Sequence, residues 1–170
     1  KEHFKKIYKD GITKENIVDA IAEFEKTLTT PNAPFDKYLL GNEDAITQKQ
    51  KDGYKIFKSK GCISCHHGIN IGGNLYNKFG LMKDAQSKRL GKYDVTKKEA
   101  DKYYFKVPSL RNIQKTAPYL HDGRYTNLED VVKFMAYYQL ARTMSDEEVD
   151  KIVAFLHSLN GEIPEIAKVK

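Results

Sequence analysis

Apolar residues recur at helical spacing along most of the chain, and each recurrence is introduced by a capping signal. Thr13 stands as an N-cap ahead of Ile17, Val18, Ile21, Ala22 and Phe24, with Leu28 completing the stripe. The run Thr29-Thr30-Pro31-Asn32-Ala33-Pro34 ends that helix, because proline fixes φ and the residue before it avoids the helical region. Phe35, Tyr38, Leu39 and Leu40 then form a short apolar cluster before Gly41-Asn42. Thr47-x-x-Gln50 reads as a capping box opening a helix with Tyr54, Ile56 and Phe57. Thr96-x-x-Glu99 is a second match and predicts a short helix through Tyr103. Thr126-x-x-Glu129 begins the clearest helix, with Leu128, Val131, Val132, Met135 and Tyr138 on one side. Ser145-x-x-Glu148 opens the last, carrying Val149, Ile152, Val153, Phe155, Leu156 and Leu159 up to Gly161. Gly68, Gly72 and Gly73 predict loop rather than regular structure after the second helix, and Phe105–Ile113 is aperiodic. The pattern is that of an all-α protein.

The second helix runs into Cys62-Ile63-Ser64-Cys65-His66, which uses both cysteines of the chain. A bare CxxC leaves a redox dithiol and half a zinc site open. The histidine that follows and the single pair favour one covalently attached haem c, its vinyl groups taken by the two thiols and its iron by His66. His67 reads as a surface residue. The chain is therefore expected to be a c-type cytochrome domain with an N-terminal helical arm and long haem-wrapping loops. Residues 1–50 form the arm and connector, 51–161 the haem domain and 162–170 a tail. Methionine or histidine in the sixth position gives an electron-transfer haem, whereas a vacant position admits exogenous ligands. Met135, on a capped amphipathic helix, is a candidate, and helical spacing suits a core methionine equally. Met82 lies in a loop beside a glycine, and Met144 reads as an interhelical contact. His121 competes as a distal ligand, with Asp122 beside it allowing a hydrogen-bonded structural role instead. His157 reads as a surface or interhelix residue.

Charge adds little to this picture. The formal net charge is +6, spread along the chain without the concentrated Arg/Lys array of a nucleic-acid reader. No apolar run of about 18 residues is present, so no membrane span is expected. The chain does not begin with Met and shows no signal peptide, so an upstream segment is expected to have been removed. Haem attachment to reduced thiols implies maturation in the periplasm.

Taken together, the strings along the chain carry a family resemblance. They include Ala22-x-Phe24-Glu25-x-Thr27-Leu28, Phe35-Asp36-x-Tyr38-Leu39-x-Gly41, Gly53-x-x-x-Phe57 and Gly68-Ile69-Asn70-x-Gly72-Gly73. Phe105-Lys106-Val107-Pro108-Ser109-Leu110-Arg111-Asn112-Ile113 follows, then Thr116-Ala117-Pro118-Tyr119-x-His121-Asp122-Gly123. Leu128-Glu129-x-Val131-Val132-x-x-Met135 and Ile152-x-Ala154-Phe155-Leu156-x-Ser158-Leu159 complete the set. Nearly the whole chain resembles the C-terminal half of bacterial dihaem cytochrome c peroxidases, within the wider group that includes the methylamine-utilisation dihaem enzymes. The resemblance implies a high-potential, electron-accepting haem ligated by His66 and Met135. It also implies calcium, held in part by the backbone carbonyls of Thr116 and Pro118, and haem-edge or interdomain roles for Arg111, His121 and Arg124. For those two arginines, bracing the long loop is the competing reading. The chain departs from the family pattern in having a single CxxCH, so the peroxidatic haem domain is expected outside it as a partner. A small cytochrome or cupredoxin is the implied electron donor, and a homodimer is an implied assembly. A free-standing monohaem electron-transfer cytochrome is the alternative, and acquired ligand binding or oxidase chemistry is a third reading.

Overall fold

Thr13 caps as its position predicts: its hydroxyl accepts from the Asn16 N–H at 3.1 Å and starts α2 (Lys14–Thr27), which follows the short α1 (Glu2–Ile7). The structure is a computed structural model that describes residues 2–168; residues 169 and 170 of the expected tail lie outside the described residues, as does Lys1. The chain divides into two compact units, one running to Asn32 and rejoined from Gly161, the other Ala33–Asn160. In the first unit the returning strand of chain is fixed by Glu162 N–H donating to the Pro31 carbonyl at 2.8 Å and Asn32 Nδ2 donating to the Glu162 carboxylate at 3.1 Å. The stripe of α2 stays half-exposed, with Val18 at 58% and Phe24 at 49%.

In the second unit, Pro34 at the first turn turns the Phe35 cluster into a helix, α3 (Pro34–Leu39), burying Phe35. Both sides of the Thr47/Gln50 box are made, opening α4 (Gln48–Ser59), and both sides of the Ser145/Glu148 box open α7 (Asp146–His157). α4 packs against α7 at Gly53, where a Cβ would lie 1.9 Å from the Lys151 carbonyl oxygen, so glycine sets how closely the helices cross. Phe155 of α7, 1% exposed, is the centre of the core, with ring centroids of Phe35, Tyr54 and Phe57 at 5.0, 5.2 and 5.2 Å.

Three expectations are corrected. Thr96 does not open a helix. It closes one, α5 (Tyr93–Thr96), because Lys97 turns left-handed and returns its N–H to the Tyr93 carbonyl. The cap of α6 (Leu128–Leu140) is Asn127 rather than Thr126, its carboxamide oxygen accepting from Asp130 N–H at 2.8 Å. The segment expected as loop contains β1 (Tyr76–Lys78), paired antiparallel with β2 (Tyr104–Lys106), Asn77 opposite Phe105. The regular structure is otherwise helical, as expected of a cytochrome c-type domain, and among the described residues no helix is long and apolar enough to cross a membrane.

Candidate haem site

The end of α4 delivers the chain into a tight 3-10 turn, Cys62–Ser64. The Ser64 hydroxyl donates to the Gly61 carbonyl at 2.7 Å and His66 N–H to the Cys62 carbonyl at 3.1 Å, which holds the two thiols and the imidazole in one short arc. Two neighbouring cavities, one smaller and one larger, share Cys62, His66, Pro108 and Met135 in their walls. Phe79, Phe105 and Val107 line the smaller; Leu128, Val132 and Leu156 line the larger. The structure thus brings the first cysteine, the motif histidine and one thioether from α6 to a single apolar crevice.

The chemistry of these residues fits haem and argues against a redox dithiol. Burial pushes the Cys62 thiol up to about 11, the opposite of the depressed value that activates a CxxC nucleophile. Asn77 Nδ2 donates to Cys65 Sγ at 3.1 Å, an orienting contact reaching the second thiol from β1. Burial also lowers the pKa of His66, with the nearby backbone of Ile71 and Pro108 opposing it, so the ring is held in the neutral form that ligates iron. His66 Nδ1 is sealed from solvent without a hydrogen-bond partner. That atom and the Pro108 carbonyl share one tight corner: a Cβ on Gly72, whose φ is +122°, would lie 2.1 Å from the oxygen and 3.2 Å from Nδ1. A ligating histidine is normally steadied through its second nitrogen by a carboxylate, a backbone carbonyl or water, and the Pro108 carbonyl lies in the same corner as Nδ1.

The other expected site residues lie outside these two cavities, with one exception. Met144 lines the larger of them beside Met135 and packs on the core. Met82 is 58% exposed on the loop after β1. His67 meets Asn74 at 3.0 Å, and His157 closes α7. The guanidinium of Arg111 spans Asp36 and the Ile69 carbonyl. Arg124 pairs with Asp122, donates to the Ala85 carbonyl and lies over the Phe134 ring. His121 stacks on Phe105, centroids 4.2 Å apart, with Ser87 Oγ 3.0 Å from Nε2, so it backs the cavity wall without lining it. Thr116 and Pro118 lie on an exposed bend that contains the cis Ala117–Pro118 bond, and among the described residues no group of three His, Cys, Asp or Glu is gathered for a metal. Sequence reasoning missed Asn77, Phe79 and Gln139, which reach the site from a strand too short to show alternation, from the residue that follows it and from a helix position that reads as polar surface.

Residues 1–44 match the family model for di-haem cytochrome c peroxidase, and residues 50–160 match that for cytochrome c. Cytochrome c peroxidase Ccp of Escherichia coli (strain K12) is 50% identical over 95% of this chain and 36% of its own length. Cytochrome c551 peroxidase of Nitrosomonas europaea is 46% identical over 97% of this chain and 50% of its own length, and that of Pseudomonas aeruginosa 43% over 89% and 45%. A MauG-like protein associated with microbial copper homeostasis shares the fold, with a TM-score of 0.76 at 22% identity, covering 94% of this chain and 57% of that one. The chain spans half or less of the length of these curated relatives. Its CxxCH turn, buried imidazole and apolar crevice, together with a cytochrome c match over most of its length, place it in the cytochrome c family as a haem-bearing, electron-transfer region related to the bacterial dihaem cytochrome c peroxidases and MauG proteins.

Proposed function

We propose that this chain is the C-terminal, electron-accepting half of a dihaem cytochrome c peroxidase. It takes single electrons from a small cytochrome or cupredoxin in the periplasm and passes them to a peroxidatic haem domain outside this chain, where hydrogen peroxide is reduced to water. The observation that carries the reading is the wall shared by Cys62, His66 and Met135. Cys62 and Cys65 would hold haem c, and His66 and Met135 would ligate its iron. Bound haem supplies a one-electron iron couple. The chain's own residues anchor it, keep His66 neutral, and exclude water with Phe79, Phe105, Val132 and Leu156. With an imidazole and a thioether both committed to the iron, no ligand position would remain for peroxide, and the task left to these residues would be passing electrons. Calcium on the carbonyls of Thr116 and Pro118 belongs to the same reading, its remaining ligands coming from outside this turn.

Rapid mixing of the ferrous holoprotein with hydrogen peroxide tests the assignment. Slow oxidation without turnover is expected for this chain, against rapid turnover by the intact gene product carrying two haems. Enzyme-like peroxide reduction by this chain alone, or a single haem in the intact product, would overturn it.

A further inference from the structure

Gln139 lies one helical turn beyond Met135 on α6, and both side chains line the smaller cavity. Its carboxamide is committed at both ends to the backbone at the end of β1 and just beyond it. The Oε1 atom accepts from Gly80 N–H at 2.5 Å and Leu81 N–H at 2.9 Å, while Nε2 donates to the Lys78 carbonyl at 3.1 Å. The next two amides, of Met82 and Lys83, donate to the Tyr138 carbonyl at 3.0 and 3.1 Å. The final turns of α6 therefore grip a continuous run of loop backbone. Near the start of that run, between Lys78 and Gly80, is Phe79, whose own N–H donates to the Tyr103 carbonyl at 2.8 Å and whose ring lines the cavity and packs on Phe105 and Phe134 at 5.9 and 5.5 Å. Gly80 is buried, so its N–H has no solvent to fall back on. The carboxamide suits this place because its oxygen can accept from two adjacent N–H groups while its nitrogen, at the other end, donates to a nearby carbonyl.

We propose that Gln139 is a positioning residue of the haem site, clamping the Phe79 wall to the helix that carries Met135. The thioether part of this inference rests on the reading of Met135 as an iron ligand. A thioether is a weak ligand and holds its place only where the sulfur cannot drift and water cannot compete. Tying the wall and the ligand to the same helix turns fixes the gap between them. Losing the clamp leaves the Gly80 and Leu81 amides in need of water, which enters beside the crevice. A wetter site favours the oxidised, more charged iron and lowers the reduction potential.

Holoproteins bearing Gln139→Leu, Gln139→Glu and Met135→Leu test this by three readouts: amide exchange at Gly80 and Leu81, the thioether-dependent charge-transfer absorbance of the ferric form, and the reduction potential. Gln139→Leu should speed exchange at both amides about tenfold, the factor for one net hydrogen bond of about 1.4 kcal/mol, weaken the absorbance and lower the potential. Gln139→Glu keeps the acceptor and loses the donor to Lys78, so it should restore amide protection and most of the absorbance. Faster exchange in Gln139→Leu with absorbance and potential unchanged would reduce Gln139 to a loop brace and overturn the proposal. An unchanged ferric spectrum in Met135→Leu would instead remove the ligand assignment, leaving the clamp to stand or fall on exchange and potential together.

Discussion

Arg111 grips Asp36 with both terminal nitrogens, Nη1 to Oδ2 at 2.8 Å and Nη2 to Oδ1 at 2.7 Å, tying the stretch after β2 to α3. Arg111 Nε also donates to the Ile69 carbonyl at 2.8 Å, so one guanidinium spans three segments around the haem motif. The side chains are 17% and 27% exposed, which places the pair between a screened surface contact and a buried one. Arg111→Ala should cost about 2 kcal/mol, the range of hydrogen bonds to charged groups. Arg111→Lys should recover less than half of it, because an ammonium cannot reproduce the fork. Denaturant unfolding of the two variants measures both.

Gly72 offers a sharper test, since its failure acts directly on the haem ligand. An alanine there would need a φ of +122° and would place its Cβ 2.1 Å from the Pro108 carbonyl and 3.2 Å from His66 Nδ1. The loop must move, and the imidazole's corner moves with it. Gly72→Ala should cost more than about 2 kcal/mol and lower the haem-to-protein ratio of the purified product. Gly73→Ala, whose Cβ meets nothing within 4 Å although its φ is also positive, should leave the ratio near the wild-type value.

The three methionines separate by environment in a way that spectra can read. Met135 and Met144 line the same cavity, and Met82 is exposed. If Met135 is the sixth ligand, Met135→Leu should abolish the thioether-dependent absorbance of the ferric holoprotein. Met82→Leu should leave it intact, and Met144→Leu should change stability by less than about 1.5 kcal/mol, as a near volume-conserving core swap does. Loss of the absorbance in Met144→Leu alone would move the ligand to that residue.

How far the chain could be read in advance depends on the range of the forces involved. Caps are local chemistry, so Thr13, Thr47 and Ser145 each mark their helix correctly, and the CxxCH motif carries its meaning within five residues. The misreadings are also local. Thr126 and Asn127 are both good caps, and the chain uses the second; Thr96 is outvoted by Tyr93 and Lys97 around it. The contacts that build the crevice are long-range and leave no periodic trace. Gly72 beneath Pro108, Asn77 on Cys65 and Gln139 on the loop after β1 join positions far apart in sequence, and each looks unremarked as a loop or surface residue until the chain has folded.

The cap of α6 turns one of those misreadings into a measurement. Asn127→Ala leaves the Asp130 N–H without its acceptor and should cost about 1 kcal/mol. Thr126→Ala should cost well under half of that. Equal losses in thermal unfolding would return the cap to Thr126. Because Met135 rides on this helix, the same variants show whether its anchoring is set at the helix start or along its packed face.

Asp122 and Arg124 set an acid limit on stability. The Arg124 guanidinium, 2.5 Å from Asp122 Oδ2 through Nη2 and 2.7 Å through Nε, holds that carboxyl below the usual carboxylate range and is itself shifted upward. A carboxyl depressed in the folded state binds fewer protons there than in the unfolded chain. Its stabilisation is therefore complete above the unfolded value of about 3.9 and disappears as pH falls through the lower folded value. Both side chains are about 30% exposed, so solvent screening holds the contribution to about 1 kcal/mol or less. Asp122→Asn should lower the melting temperature at pH 7, and the gap from wild type should close below about pH 4. Salt should narrow the gap at neutral pH as it screens the charges. A gap constant across the acid range would mean that Asp122 acts here by shape and hydrogen bonding, with its charge contributing nothing.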